Sequence, residues 1–122
     1  MNLKSILLAF IATAIMPMAL FSGCNQPASD GLPKVMKIGR TTCVPCVKMS
    51  KLLNDLKPKL EGQASVEIID IDEDYDAVKK YNVTGIPVTI FFDGQGKEIY
   101  RQIGLLEEKE IYDWLEKAGM KK

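Results

Sequence analysis

The chain has 122 residues, a length that suits one domain better than two. Its 16 basic and 16 acidic residues balance, whereas a nucleic-acid-binding surface would need a clustered basic excess, so we expect no nucleic-acid partner. The chain contains no histidine, which excludes histidine-based acid–base catalysis, Cys-His nucleophile pairs and imidazole metal ligands.

Residues 1–23 are predicted to be a secretory signal peptide. One lysine, Lys4, precedes an uncharged stretch rich in Leu, Ile, Ala, Phe and Met, which is the layout of a charged n-region followed by an apolar h-region. The stretch ends in Phe21-Ser22-Gly23-Cys24. Small residues before a cysteine resemble the lipobox of bacterial lipoproteins, where the cysteine is lipidated, although that family usually has Leu at the position of Phe21.

Three interpretations of this leader remain open: a lipoprotein signal with lipidation of Cys24, an uncleaved membrane anchor, since the apolar run nearly reaches spanning length, or an ordinarily cleaved signal. Residues 24–33 are predicted to be the lipidated cysteine and a flexible linker, because this segment is polar and contains Pro and Gly. All three interpretations place a domain of residues 34–122 in the bacterial cell envelope, on the periplasmic or extracytoplasmic side of a membrane.

The rest of the chain alternates between strand and helix patterns. Strands are predicted over residues 35–39, 66–71, 88–92 and 98–103, where short apolar or β-branched runs are bounded by turn residues. Helices are predicted from residue 43 to about residue 60, with Pro58 able to bend or shorten the last turn, and over residues 72–81 and 106–118. The run at 88–92 is apolar almost throughout, which indicates a central strand. The β-α-β-α-β-β-α order predicts an α/β fold: a four-stranded mixed sheet with helices on both faces.

The motif Cys43-Val44-Pro45-Cys46 contains the candidate reactive residues of the chain. Cys43 follows a strand and begins a helix, where unpaired N–H groups and the helix dipole favour an anion and lower the thiol pKa. Cys46 lies one turn later and can displace whatever Cys43 captures. The alternatives are a structural bridge, half of a zinc site or chance. Zinc requires four ligands and the chain offers one further cysteine and no histidine, so we expect no metal and no cofactor beyond the redox-active disulfide itself.

Together with Asp70-Ile71-Asp72, Tyr81-Asn82-Val83-Thr84-Gly85-Ile86-Pro87 and a hairpin ending at Gly104, this motif resembles the thioredoxin superfamily over about residues 34–118. From the residues alone, a cis peptide at Ile86-Pro87 stays open, since such bonds are a minority of X-Pro bonds. The resemblance implies that Pro87 is cis and faces the two sulfurs. It also implies a minimal thioredoxin fold and a substrate segment that pairs with the backbone at Ile86, beside Val44 and Pro45.

Three departures from thioredoxin stand out. Thr42 replaces the usual Trp before the first cysteine, and Lys37 replaces a buried acid that helps to move the proton of the second thiol. Both are candidates for tuning the pKa of the thiols, and for Lys37 two alternatives stay open: it favours a thiolate electrostatically, or it points to solvent at a sheet end. The extra N-terminal strand and helix of thioredoxin are also expected to be missing.

The predicted function is a thiol–disulfide oxidoreductase that reduces protein disulfides, with Cys43 attacking and Cys46 resolving. Reduction is favoured because oxidants and isomerases of this kind carry His between the cysteines, whereas Pro45, and Ile86 before the proline, are typical of reductants. The expected partners are disulfide-containing exported proteins and a membrane dithiol donor, and the protein is expected to be a monomer. The alternatives are a disulfide oxidase or isomerase, or a non-catalytic binding module with a permanently closed bridge.

Overall fold

The computed structural model describes residues 31–122, so the predicted signal peptide, Cys24 and most of the linker lie outside the described residues. Within this range the chain forms β1 (Lys34–Gly39), α1 (Val44–Leu60), β2 (Ser65–Asp70), α2 (Asp76–Lys80), β3 (Val88–Phe92), β4 (Glu98–Ile103) and α3 (Glu108–Lys117). This is the predicted order of elements. Of the helices in residues 31–122, none has the length and apolar character needed to cross a membrane.

The four strands form one mixed sheet in the order β2-β1-β3-β4. β1 runs parallel to β2 and antiparallel to β3, and β3 runs antiparallel to β4. β1 and β3 are therefore the central strands. Every residue of β3 is buried, which confirms that its nearly continuous apolar sequence marks a central strand.

Helices cover both faces of the sheet, as predicted. On one face, Val35 and Phe91 pair across β1 and β3 and pack with Leu53 of α1. On the other face, Ile38 packs with Val78 of α2. Because side chains alternate along a strand, β1 directs Val35, residue 37 and residue 39 towards α1, the helix that begins at the cysteine pair.

Two helices are shorter than their sequence patterns predict. α2 begins after residue 72 because the N–H of Asp74 donates to the carbonyl oxygen of Asp70 at 2.9 Å, which closes a turn. α3 begins at Glu108 rather than at Leu106, because Leu106 lies in the apolar core before the helix starts. The sequence patterns therefore predicted these two helices and placed their ends wrongly.

Pro58 lies in the last turns of α1, which nevertheless continues to Leu60. A proline cannot donate a hydrogen bond to the carbonyl four residues earlier, here that of Asn54. Asn54 is exposed, so water can satisfy the carbonyl. The helix therefore reaches its predicted end.

Candidate active site

Cys43 and Cys46 form a disulfide at the start of α1, with their Cα atoms 5.1 Å apart. Cys43 is the N-cap residue of the helix, and its Sγ accepts a hydrogen bond from the Cys46 N–H at 3.4 Å. Pro45 stands in the first turn, where its missing N–H removes no helical hydrogen bond. The Cys43 sulfur therefore lies at the positive end of the helix dipole, a position that stabilises a thiolate.

The two sulfur-bearing residues differ in exposure. Cys46 is completely buried, whereas Cys43 is partly exposed. Val44 and Pro45 are both exposed, Val44 to 68%. A second molecule can therefore approach the side of the motif that carries Cys43, while Cys46 is within reach of Cys43 from inside the protein.

The loop from β1 into α1 is tied to the end of β2. The Cys43 N–H donates to the Arg40 carbonyl oxygen at 3.3 Å, and the Arg40 guanidinium forms an ion pair with Asp72, with Nε 3.0 Å from Oδ1. Thr42 is exposed beside Cys43 in this loop. Asp72 belongs to a motif visible in the sequence, but Arg40 carries no such signal, because its partner lies 32 residues further on and is brought close by the pairing of β1 with β2.

The Ile86–Pro87 peptide bond is cis. Pro87 is buried, and its carbonyl oxygen accepts a hydrogen bond from the Gly104 N–H at 2.8 Å. Val88, the next residue, pairs with Ile38 near the end of β1. The cis bond therefore lies at the same end of the sheet as the loop that carries Cys43.

Ile86 is half-buried, and its backbone N–H and C=O form no hydrogen bonds within residues 31–122. Backbone groups next to a strand end can pair with an added extended segment. Ile86 thus offers a free donor and a free acceptor at the cysteine end of the sheet.

Lys37 is buried, with 3% of its surface exposed. The solvent-facing alternative for this residue is therefore wrong. A Cβ placed on Gly39 would lie 2.9 Å from Lys37 Nζ and 2.9 Å from Cys46 Sγ, so the two atoms are within twice that distance of each other. Gly39 is the residue that leaves room for both. The sequence signal for this proximity is a glycine two residues after a strand lysine, just before the cysteine motif.

Burial lowers the pKa of Lys37, because the charged ammonium loses hydration, and the negative charge of Asp70 opposes this shift only in part. Asp70 stands on β2 two residues beyond Ile68, the partner of Lys37. On β3, Thr89 pairs with Lys37, and its buried Oγ1 has no hydrogen-bond partner in the described part of the chain. The amine is thus held among few polar groups, with a sulfur beside it.

No group of three or more cysteine, aspartate or glutamate side chains in residues 31–122 is arranged to hold a metal ion. The interpretation of the cysteine pair as half of a zinc site finds no further ligands there. The two cysteines are bonded to each other in this structure.

Comparisons with known proteins agree with this geometry. A family model described as a thioredoxin-like domain matches residues 25–119. Thioredoxin from Rickettsia typhi is 26% identical over 95 residues, covering 77% of this chain and 89% of the relative. Thioredoxin from Rhodospirillum rubrum is 31% identical over 88 residues, covering 72% and 83%. The germline-specific thioredoxin Deadhead from Drosophila melanogaster superposes with a TM-score of 0.62 at 25% identity, covering 73% of this chain and 83% of that one.

Proposed function

The chain belongs to the thioredoxin superfamily and is a thiol–disulfide oxidoreductase, and from that premise we propose that it reduces the disulfides of exported proteins while held at a membrane. The observation that carries the reductase proposal is the unequal placement of the two sulfurs. Cys43 caps a helix and is partly exposed, and Cys46 is buried one turn behind it.

The reaction follows from this placement in two steps. The Cys43 thiolate attacks one sulfur of a client disulfide; a Cys43–client S–S bond forms, the client's own S–S bond breaks, and one client sulfur leaves as a thiolate. Cys46 then attacks Cys43 Sγ, forming the Cys43–Cys46 bond and releasing the second client thiolate. Two electrons pass from the protein dithiol to the client, and a dithiol donor restores the pair.

The client segment is proposed to lie as an added strand against Ile86. The free N–H and C=O of Ile86 supply the pairing groups, and the exposed Val44 and Pro45 supply apolar contact beside Cys43. Pro87 would hold this edge in place through its bond to the Gly104 N–H. Backbone pairing of this kind recognises an extended segment with little demand on its sequence.

Reduction is the proposed direction. The cysteines enclose Val44-Pro45 with no histidine, and the relatives are named thioredoxins. The reduction potential measured against glutathione should lie near that of thioredoxin, roughly −270 mV. A value near that of a strong periplasmic oxidant, about −120 mV, would contradict reduction and favour the oxidase.

Reduction of insulin with a small dithiol donor tests the activity. The intact protein should turn over, and Cys43→Ser should form no mixed disulfide and show no turnover. Cys46→Ala is the matched variant: it should capture insulin on Cys43 and fail to release it. Absence of turnover by the intact protein would favour the non-catalytic binding module.

Export and membrane anchoring rest on the leader of residues 1–23 and on Cys24. The thioredoxin-like match begins at residue 25, next to that cysteine. The described chain enters the domain near the turn between β3 and β4, where Gly31 approaches Gly94. The start of β1 lies close to this turn. From there the six residues of β1 span about 20 Å to the end of the strand that leads to Cys43. An anchor there would leave the disulfide facing away from the membrane.

Cell fractionation in a bacterial host tests the anchor. With a lipid anchor, the protein should be in the membrane fraction, Cys24→Ala should release it, and globomycin should block maturation; Cys43→Ser is the control that should stay in the membrane. Retention of Cys24→Ala in the membrane would favour a spanning leader, and recovery of the intact protein as a soluble envelope protein would favour a cleaved signal. Recovery from the cytosol would refute export.

The proposed donor is a membrane dithiol, because the compartment outside the cytoplasm is oxidising and offers no soluble reductant of its own. The proposed clients are exported proteins with disulfides. The Cys46→Ala variant should collect both kinds of partner as mixed disulfides on Cys43, for identification by mass spectrometry. The Cys43→Ser/Cys46→Ala pair is the control that should collect none.

A further inference from the structure

A lysine amine stands beside the resolving sulfur, inside the protein. Lys37 Nζ and Cys46 Sγ share the space over Gly39, each 2.9 Å from the point where a Cβ of residue 39 would stand. Both residues are buried, at 3% and 0% exposure. Among residues 31–122, the side-chain amine of Lys37 has no hydrogen-bond or ion-pair partner, whereas Lys34 on the same strand pairs with Glu67. Placing an unpaired amine in such a position costs stability, so a function of the amine itself is worth seeking.

The groups around Lys37 leave Cys46 as the nearby partner for proton exchange. From β2, Asp70 acts on the ammonium through its charge, but its Oδ1 accepts the Asp72 N–H at 2.9 Å on an exposed turn. From β3, Thr89 presents a hydroxyl, which does not titrate in this range. From α1, the group is the Cys46 sulfur.

We propose that Lys37 is the proton acceptor for Cys46 in the resolving step, which deepens the proposed function and rests on it. When Cys46 attacks the mixed disulfide, its S–H proton passes to the neutral Lys37 amine. The Cys43–Cys46 bond forms, the Cys43–client bond breaks, and the bonding pair leaves with the client thiolate. Charge balances, because one thiol and one amine become one ammonium and one thiolate.

The environment of Lys37 suits both halves of this cycle. Burial lowers the pKa of Lys37, which favours the neutral amine that accepts the proton when the client is bound; the ammonium formed in that step is then present when the donor attacks. In the reverse half, when the donor attacks Cys43, the Lys37 ammonium stabilises the Cys46 thiolate as it leaves. A carboxylate at this place would repel that thiolate, so the lysine makes the second thiol more acidic instead of less.

The direct test is the titration of Cys46. In the full chain carrying Cys43→Ser, the ¹³Cβ shift of Cys46 is followed from acid to alkaline pH, with and without Lys37→Met. Removing the amine should raise the midpoint by about one pH unit, a tenfold loss of thiolate at a given pH, and Lys37→Gln should act in the same direction. Lys34→Met, on the same strand but with its amine on Glu67 at 3.0 Å, is the matched control that should leave the midpoint unchanged.

The second test uses both cysteines. A mixed disulfide of glutathione on Cys43 is released by Cys46, and Lys37→Met should slow this release about tenfold on the acidic side of the profile, with the difference closing at alkaline pH. A purely structural effect of the substitution would change the rate equally at every pH and would overturn the proposal. A Cys46 midpoint that stays in place in both folded Lys37 variants would do the same.

The two proposals fail separately. If the intact protein does not reduce insulin, the reductase function is wrong, and the Cys46 titration still decides the role of Lys37. The other case is that the intact protein reduces insulin, and Lys37→Met leaves both the Cys46 titration midpoint and the pH profile of glutathione release unchanged. The reductase function then stands, and the role of Lys37 is refuted.

Discussion

Gly39→Ala places a methyl group in the space that Lys37 and Cys46 share. Its Cβ would stand 2.8 Å from Lys37 Cε and 2.9 Å from both Lys37 Nζ and Cys46 Sγ. The backbone of Gly39 has no positive φ, so alanine meets no backbone strain, and the effect of this substitution is steric.

The expected magnitude is the balance of two effects. Replacing a glycine by alanine where the backbone permits it stabilises by about 0.4–1 kcal/mol through the unfolded chain. Overpacking a buried site costs typically about 1–3 kcal/mol, and neither neighbour can move freely, since Lys37 is enclosed and Cys46 is bonded to Cys43. We therefore expect a net loss of about 1–2 kcal/mol in the free energy of unfolding of the oxidised protein.

Urea unfolding of the oxidised protein measures this loss, and the double variant Gly39→Ala/Lys37→Ala provides the control. Removing Cε and Nζ takes away two of the three close contacts, so the glycine substitution should cost less in that background. An equal cost in both backgrounds, or a Gly39→Ala protein as stable as the parent, would refute the shared space over Gly39 and with it the proximity of amine and sulfur.

Three further predictions concern stability, each measured by urea unfolding. Lys37→Met should stabilise the oxidised protein at neutral pH. Because folding lowers the pKa of Lys37, the parent should gain stability as pH rises towards 10.5, so the difference in unfolding free energy between variant and parent should shrink. A difference that stays constant with pH would contradict this. Arg101→Gln removes a hydrogen bond to the Tyr81 carbonyl at 3.0 Å and should cost about 1 kcal/mol. Leu53→Ala in the core should cost about 2–5 kcal/mol, whereas Leu105→Ala, 52% exposed, should change stability by less than about 0.5 kcal/mol.

The order of elements and the central strand could be read from the sequence because each depends on neighbours along the chain. In the run Val88–Phe92 every residue but Thr89 is apolar, which is the pattern expected of a strand buried on both faces. Cys43 at a helix N-terminus was likewise predicted from the strand before it and the helical spacing after it. The match with thioredoxins confirms the family that these motifs indicated.

Helix ends and backbone isomers were decided by contacts that the local pattern does not contain. The start of α2 depends on a turn closed at Asp70, and the start of α3 on the burial of Leu106. The residues alone left the Ile86–Pro87 bond open, whereas the folded chain shows it cis.

The sequence by itself determined that two thiols stand one turn apart at the start of a helix, since that follows from spacing alone. Only the tertiary structure decided where the Lys37 amine goes. Its strand could direct that side chain to water or to the core, and the choice depends on β2, β3 and α1 closing around it. Burial depends on segments distant along the chain, so Lys37 Nζ and Cys46 Sγ come together over Gly39 only once the sheet has formed.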